Sequence, residues 1–171
     1  MTHTPHTSHA GHPVQYKRLL LPSAFSKLSE AASAWAVPLA KQFHSEVHVL
    51  HVVPHTELAM LAGAPELGAG VAAPVVTPSA SEMLAASARQ VDAFVQRALG
   101  EIRDQVRTAS VVGGVVDEII RYVEQRQIDL IVMGTHADGM LKRLVFGSIG
   151  KSVLEAAPCP VLLVPIRSLS K

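Results

Sequence analysis

The chain has a single cysteine, Cys159, so it forms no internal disulfide and holds no thiolate metal cluster. Aromatic residues are 4% of its 171 residues, which leaves Val, Leu, Ile and Ala to build a core. An excess of one charge is also missing. Lys and Arg number 15 against 14 Asp and Glu, for a net charge of +1, and the basic residues are scattered, so electrostatics offer no case for DNA or RNA as a partner. No apolar run reaches the roughly 18 residues of a membrane span, and the start, "MTHTPHTSHAGHPVQ", lacks the apolar core of a secretory signal. These absences lead us to expect a soluble, cytoplasmic protein with neither a membrane nor a nucleic-acid partner.

What is present fits one packed α/β domain: 49% of the residues are apolar and 17% are charged. Residues 1–15 are polar and carry His3, His6, His9 and His12 at a spacing of three. Such a segment has too little apolar surface to fold. In an extended chain its imidazoles stand about 9 Å apart, too far for one rigid metal site, so the expectation is a tail with incidental chelation at most. The domain proper is expected over 16–171.

From Tyr16 onward strand and helix signals alternate. "KRLLLP" is a short apolar strand. "SKLSEAASAWAVPLAKQF" predicts a helix with Leu28, Ala32, Trp35, Leu39 and Phe43 on its inner face, kinked at Pro38. "SEVHVLHVVP" is a buried strand whose His48 and His51 read as satisfied strand histidines. The glycine- and proline-rich region 55–80 predicts a variable insert. A long helix from Ser81 to Asp104 follows, with Leu84, Ala88, Val91, Val95, Ala98 and Ile102 inward. Then come the strand "RTASVV", the helix "VDEIIRYVEQR", the strand "DLIVMG", a helix over Ser148 to Ala157 and the strand "PVLLVP". Cys159, at the mouth of that last strand, reads as a buried, inert thiol.

Five strands joined by four helices predict a parallel sheet covered on both faces, an α/β three-layer, Rossmann-like fold. Such sheets collect ligands beyond the carboxyl ends of the strands, where the winding direction reverses. The segment after the fourth strand, "GTHADGMLKRLVFGSIGKSV", has Gly134 ending the strand and Gly147 with Ser148 opening a helix, Ser148 suiting the N-cap. Free N–H groups and the helix dipole favour an anion there.

The order of elements, with "YKRLLLP", "LHVV", "DLIVMGTH" and "GSIGKSVLEAAPCPVLLVP", resembles the universal stress protein family over Tyr16 to Pro165. The resemblance implies a five-stranded sheet of order 3-2-1-4-5, usually a homodimer, in which one branch binds ATP and another does not. The binding branch is similar to G-x-x-G, nine residues, then G and Ser or Thr; here Gly134, Gly147 and Ser148 match while Ala137 replaces the second glycine. The strand order places "PSAF" on the opposite wall, where Ala24 stands in place of a carboxylate that contacts adenosine.

The implied nucleotide site therefore comprises Pro22, Ser23, Ala24, Phe25, Val52, Met133, Gly134, Thr135, His136, Ala137, Gly147, Ser148 and Ile149. Its ligand would be ATP or AMP, with Mg only alongside ATP. Gly139 offers a turn in place of the lost glycine, and Lys142 and Arg143 offset Asp138 near the phosphates. The expected role is a dimeric stress-response regulator or protective protein with a degenerate nucleotide cleft, not an enzyme. One alternative is an interaction module of the same fold that binds no nucleotide. Another is an ATP-hydrolysing enzyme, for which only Asp138 and His136 are on offer, and His136 reads as a loop residue rather than a base. Val161, Leu162, Leu163 and Val164 form an apolar edge strand, so a homodimer is expected to pair through them.

Overall fold

The computed structural model describes residues 15–54, 79–138, 143–145 and 147–167. His3, His6, His9 and His12, the insert at 55–78, Gly139 and Lys142 lie outside the described residues, and so do the side chains of Ala137, Asp138 and Arg143.

In chain order the elements are β1 (Arg18–Pro22), α1 (Lys27–Phe43), β2 (Glu46–Pro54), α2 (Ala80–Ala98), a 3-10 helix (Gly100–Gln105), β3 (Val106–Gly113), α3 (Val115–Arg126), β4 (Leu130–Asp138), β5 (Arg143–Val145), α4 (Ser148–Ala156) and β6 (Val161–Arg167). The parallel strands lie in the order β3-β2-β1-β4-β6, which is the expected 3-2-1-4-5 once the short β5 is set aside. β1 shows why a doubly covered sheet forms. Leu19, Leu20 and Leu21 are all fully buried, with Leu19 and Leu21 packed in the cluster that holds α1 and α2 and Leu20 in the cluster that holds α3. Burial of each leucine stabilises the fold by about 1.5–3 kcal/mol.

Several elements differ from expectation. α1 buries Ser29, Ala32, Ser33, Ala36 and Ala40, while Trp35 is 55% exposed and Leu28, Leu39 and Phe43 are half-buried. The reason lies at Gly134, where an added Cβ would sit 2.1 Å from the Leu28 carbonyl oxygen. A helix this close to the sheet has room only for small side chains beneath it, so the large ones move to its flanks. Pro38 lies inside α1, which is one element from Lys27 to Phe43. Pro38 is exposed, so water reaches the carbonyl that its missing N–H leaves unpaired.

The long helix starts earlier and ends earlier than expected. Ser79 and Glu82 form a reciprocal capping box at its start. The α-helix stops at Ala98, and a 3-10 turn carries Ile102 inward. Ser87 and Phe94 are buried while Ala88 is exposed. Cys159 is half-buried, and burial, reinforced by Asp129, raises its thiol above the ordinary value, in keeping with an unreactive group.

β4 does not end at Gly134. It runs on to Asp138 and turns back through β5, with His136 opposite Val145, Ala137 opposite Leu144 and Asp138 opposite Arg143. Along its other edge β4 pairs with β6 from Ile131 to Ala137. Because β6 holds that edge throughout, β5 takes the same edge as β1, beyond the point where β1 stops. A hairpin therefore stands where the sequence pattern predicts the start of a glycine loop.

Candidate functional site

β1 and β4 are neighbours, registered Leu19 with Leu130 and Leu20 with Ile131, and at their carboxyl ends a cavity of about 730 Å³ opens. Every residue expected at the site whose side chain is described lines it, and the side chain of Ala137 lies outside the described residues. The sequence reading missed a third wall. Met83, Ala86, Ser87 and Gln90 enter from α2, and Val115 and Ile119 from α3.

The wall after β1 is a turn tied to itself. Ser23 is buried; its N–H donates to Leu50 O (2.9 Å), and its carbonyl accepts from His51 Nδ1 (2.7 Å). The Ser23 hydroxyl accepts from Phe25 N–H (3.2 Å), and the Ser29 hydroxyl accepts from Ala24 N–H (3.1 Å). A carbonyl only accepts, so His51 carries its proton on Nδ1 when neutral. Phe25 adopts the left-handed backbone region (φ 56°), which costs a non-glycine residue about 1–2 kcal/mol. The turn sets the Phe25 ring 4.4 Å from the His51 ring, and both line the cavity.

The wall at α4 is open. Gly147, rather than Ser148, is the N-cap, and no side chain caps the helix. Lys151 N–H makes the first helical bond, to Gly147 O (3.1 Å), so the N–H groups of Ser148, Ile149 and Gly150 precede the ladder. An added Cβ at Gly147 or Gly150 would meet nothing within 4 Å. The first turn of α4 contains no acidic residue. Among the described lining residues there is no Asp, Glu, Lys or Arg. For an anion that lining offers main-chain amides at helix starts, the dipole of α4, and the hydroxyls and imidazoles among its residues.

Gly134 plays a different part from the one its place in the motif implies. It is an interior residue of β4, opposite Val164, and the close passage of α1 alone demands a glycine there. His136 is exposed and lines the cavity from the strand, not from a loop. His48, the other strand histidine, lies outside the cavity. It is buried, with Nδ1 2.9 Å from the Tyr122 hydroxyl and Nε2 2.9 Å from Glu46 Oε1, off the line that a hydrogen bond needs. Burial lowers its pKa below 6.5 despite the nearby Glu46 carboxylate.

Residues 15–165 match the sequence model of the Universal stress protein family. The chain belongs to the universal stress protein family. A curated relative, Universal stress protein MJ0531 of Methanocaldococcus jannaschii, is 30% identical over 149 residues, covering 87% of this chain and 82% of the relative. The solved structure of MJ0577 from the same organism superposes with a TM-score of 0.66 at 25% identity, covering 91% of this chain and 99% of that one. Two further universal stress protein structures share the fold at 15% identity. One, in complex with cAMP, has a TM-score of 0.57 and covers 88% of this chain and 98% of its own. The other, from Archaeoglobus fulgidus in complex with dAMP, has a TM-score of 0.51 and covers 88% and 99%. In this universal stress protein domain no helix among the described residues is long and apolar enough to cross a membrane.

Proposed function

We propose that this chain is a nucleotide-binding universal stress protein, a homodimeric regulatory or protective protein that holds an adenine nucleotide, ATP or AMP, without turning it over. The observation that carries this reading is the cavity at the carboxyl ends of β1 and β4 with the first-turn N–H groups of α4, which precede that helix's hydrogen-bond ladder, in its wall. Those amides would take phosphate, and the apolar surface of Phe25, Val52 and Met133 suits a base. Complexes of cAMP and dAMP with proteins of the same fold support the ligand class.

Phosphoryl transfer needs a carboxylate for metal and a group that orients water. Among the described lining residues there is no carboxylate, and the side chain of Asp138, the carboxylate the sequence offers, lies outside the described residues. Magnesium in this reading accompanies only a bound ATP. A His136→Ala variant is expected to leave any residual ATP turnover unchanged; a loss of turnover would revive the enzyme reading.

Calorimetry with ATP and AMP on nucleotide-free protein tests the proposal, and absence of binding at millimolar ligand would end it. The rival reading, an interaction module without nucleotide, draws on one specific observation: the Ala24 and Phe25 amides are already satisfied within the chain. The dimer has its own support. β6 pairs on one edge with β4, and among the described residues its other edge is unpaired. Pairing of Val161 to Val164 with a second copy would cover that edge. Light scattering is expected to give a dimer, and a monomer at high micromolar concentration would overturn this part.

A further inference from the structure

The two flanks of α1 differ in chemistry. Ser29, Ala32, Ser33, Ala36 and Ala40 face the sheet. At about 100° per residue, Glu30 and Lys41 fall on one flank, where they pair with Arg97 of α2 and with Glu101 of the 3-10 helix. Leu28, Ala31, Trp35, Leu39 and Gln42 fall on the other, and none of them is charged. Trp35, the chain's only tryptophan, is 55% exposed there. An uncharged surface around an exposed tryptophan has the composition of an interface centre.

The sheet fixes what this flank faces. α2 packs on β2 and β3, whereas α1 packs chiefly on β4, with β1 to one side and β6 to the other. The flank away from α2 therefore lies toward β6. Ile131 N–H donates to Pro160 O, and β6 then runs parallel to β4 from Val161 to Arg167. Backbone groups alternate between the two edges of a strand, so Leu162 and Val164 turn theirs to β4 while Val161, Leu163 and Pro165 turn theirs outward. Pro165 has no N–H, so donation along the outer edge stops there. Val161 and Leu163, which carry both groups, can pair across a two-fold axis, Val161 of one copy opposite Leu163 of the second. That register sets Leu162 against its own copy, on the face of the sheet that carries α1.

Distance then assigns a role to Trp35. Antiparallel edge pairing keeps α1 of both copies on the same face of the joined sheets. With strands about 4.8 Å apart, a helix over β4 lies about 7 Å from the seam, and the two copies of α1 stand about 14 Å apart. Helices in direct contact stand about 8–10 Å apart, so a large side chain from each copy is needed to close the gap. Area makes the same demand. The edge from Val161 to Val164 is only about 13 Å long, whereas a stable interface buries about 800 Å² on each partner. A tryptophan adds about 150–250 Å².

We infer that two copies of this chain meet about a two-fold axis at Leu162 and that Trp35 of each copy packs over the seam. The inference rests on the dimer reading above and deepens it: strand pairing sets the register, and the two tryptophans supply the apolar cover.

The single tryptophan makes the contact visible in the full, unmodified chain. On dilution from about 100 to about 0.1 μM, its emission should move to longer wavelength in step with dissociation followed by sedimentation. Trp35→Ala should weaken the dimer at least about thirtyfold while the melting temperature of the monomer holds. Oxidation of Leu162→Cys in a Cys159→Ser background should give a cross-linked dimer, because opposed residues of a non-hydrogen-bonded pair have Cα atoms about 4.5 Å apart. Leu163→Cys in the same background should not cross-link.

Emission that stays constant through dissociation, or a dimer whose affinity survives Trp35→Ala, would overturn the packing of Trp35 and leave the edge pairing standing. Cross-linking through Leu163→Cys rather than Leu162→Cys would overturn the register. A parent chain that is monomeric at about 100 μM would instead remove the dimer reading, and this inference with it.

Discussion

The cleft has two strand-to-helix junctions at the same end of the sheet, one from β1 into α1 and one leading into α4, and they differ in what remains free. At the first, serine hydroxyls, a carbonyl and an imidazole tie the turn down, and the amides of Ser23, Ala24 and Phe25 are all spent. At the second, Gly147 brings no side chain, and the amides of Ser148, Ile149 and Gly150 are left without intrahelical partners. The difference lies in the turn before the helix, because α1, like α4, has no side-chain cap, and its first helical bond, from Glu30 N–H to Ser26 O, leaves the Lys27, Leu28 and Ser29 amides without intrahelical partners as well. The lesson is that a turn amide is open to an anion only where the chain has not already supplied its acceptor.

The largest expected effect separates glycines kept for packing from glycines kept for access. Gly134→Ala pushes a methyl to 2.1 Å from a backbone carbonyl that cannot swing aside. A loss of about 3 kcal/mol, or failure to fold, is expected in thermal or denaturant unfolding. If Gly134→Ala proves neutral, the close passage of α1 is not what fixes that residue. A smaller change, Ser29→Ala, removes the acceptor of the Ala24 amide, at a cost of about 1 kcal/mol. It also opens the first junction, so anion affinity should rise, visible as tighter ATP binding relative to AMP.

His48, outside the cavity, is buried with Nδ1 beside the Tyr122 hydroxyl and Nε2 close to the Glu46 carboxylate. Its pKa in the folded chain lies below 6.5, so as pH falls through 6.5 the unfolded chain takes up the proton first. Stability should therefore be level above that pH and decline from there down through the lowered folded value. Melting temperatures at about pH 7.5 and about pH 5.5 should differ less in His48→Gln than in the parent. The smallest effect belongs to Gly147→Ala, where φ is −57° and nothing stands within 4 Å. Stability should change by less than about 1 kcal/mol, and the interest lies in whether AMP affinity falls as the methyl crowds the open junction.

Much of the architecture was legible. The apolar runs "RLLL" and "LIVMG" marked central strands, and alternation with helices marked a parallel sheet. "SASE" carried the capping box of α2 in plain sight, a signal that would have moved the helix start from Ser81 back to Ala80. The inner face of α1 was not legible, because periodicity favours large apolar residues where close packing needed Ser29, Ser33 and Ala36. Nor was the α2 and α3 wall. Met83 and Val115 are ordinary helix residues until the fold turns them toward β1 and β4.

By itself the sequence determined the alternation of strands and helices, and its resemblance to a known family implied the strand order. It thereby determined that a cleft opens near Pro22 and Gly134. Which amides in that cleft stay free was decided only by the tertiary structure. An amide is spent or available according to acceptors that sit far away in the chain: Leu50 for Ser23, and β6 for the far end of β4. Local residue preferences hold no record of such pairings until the fold has made them.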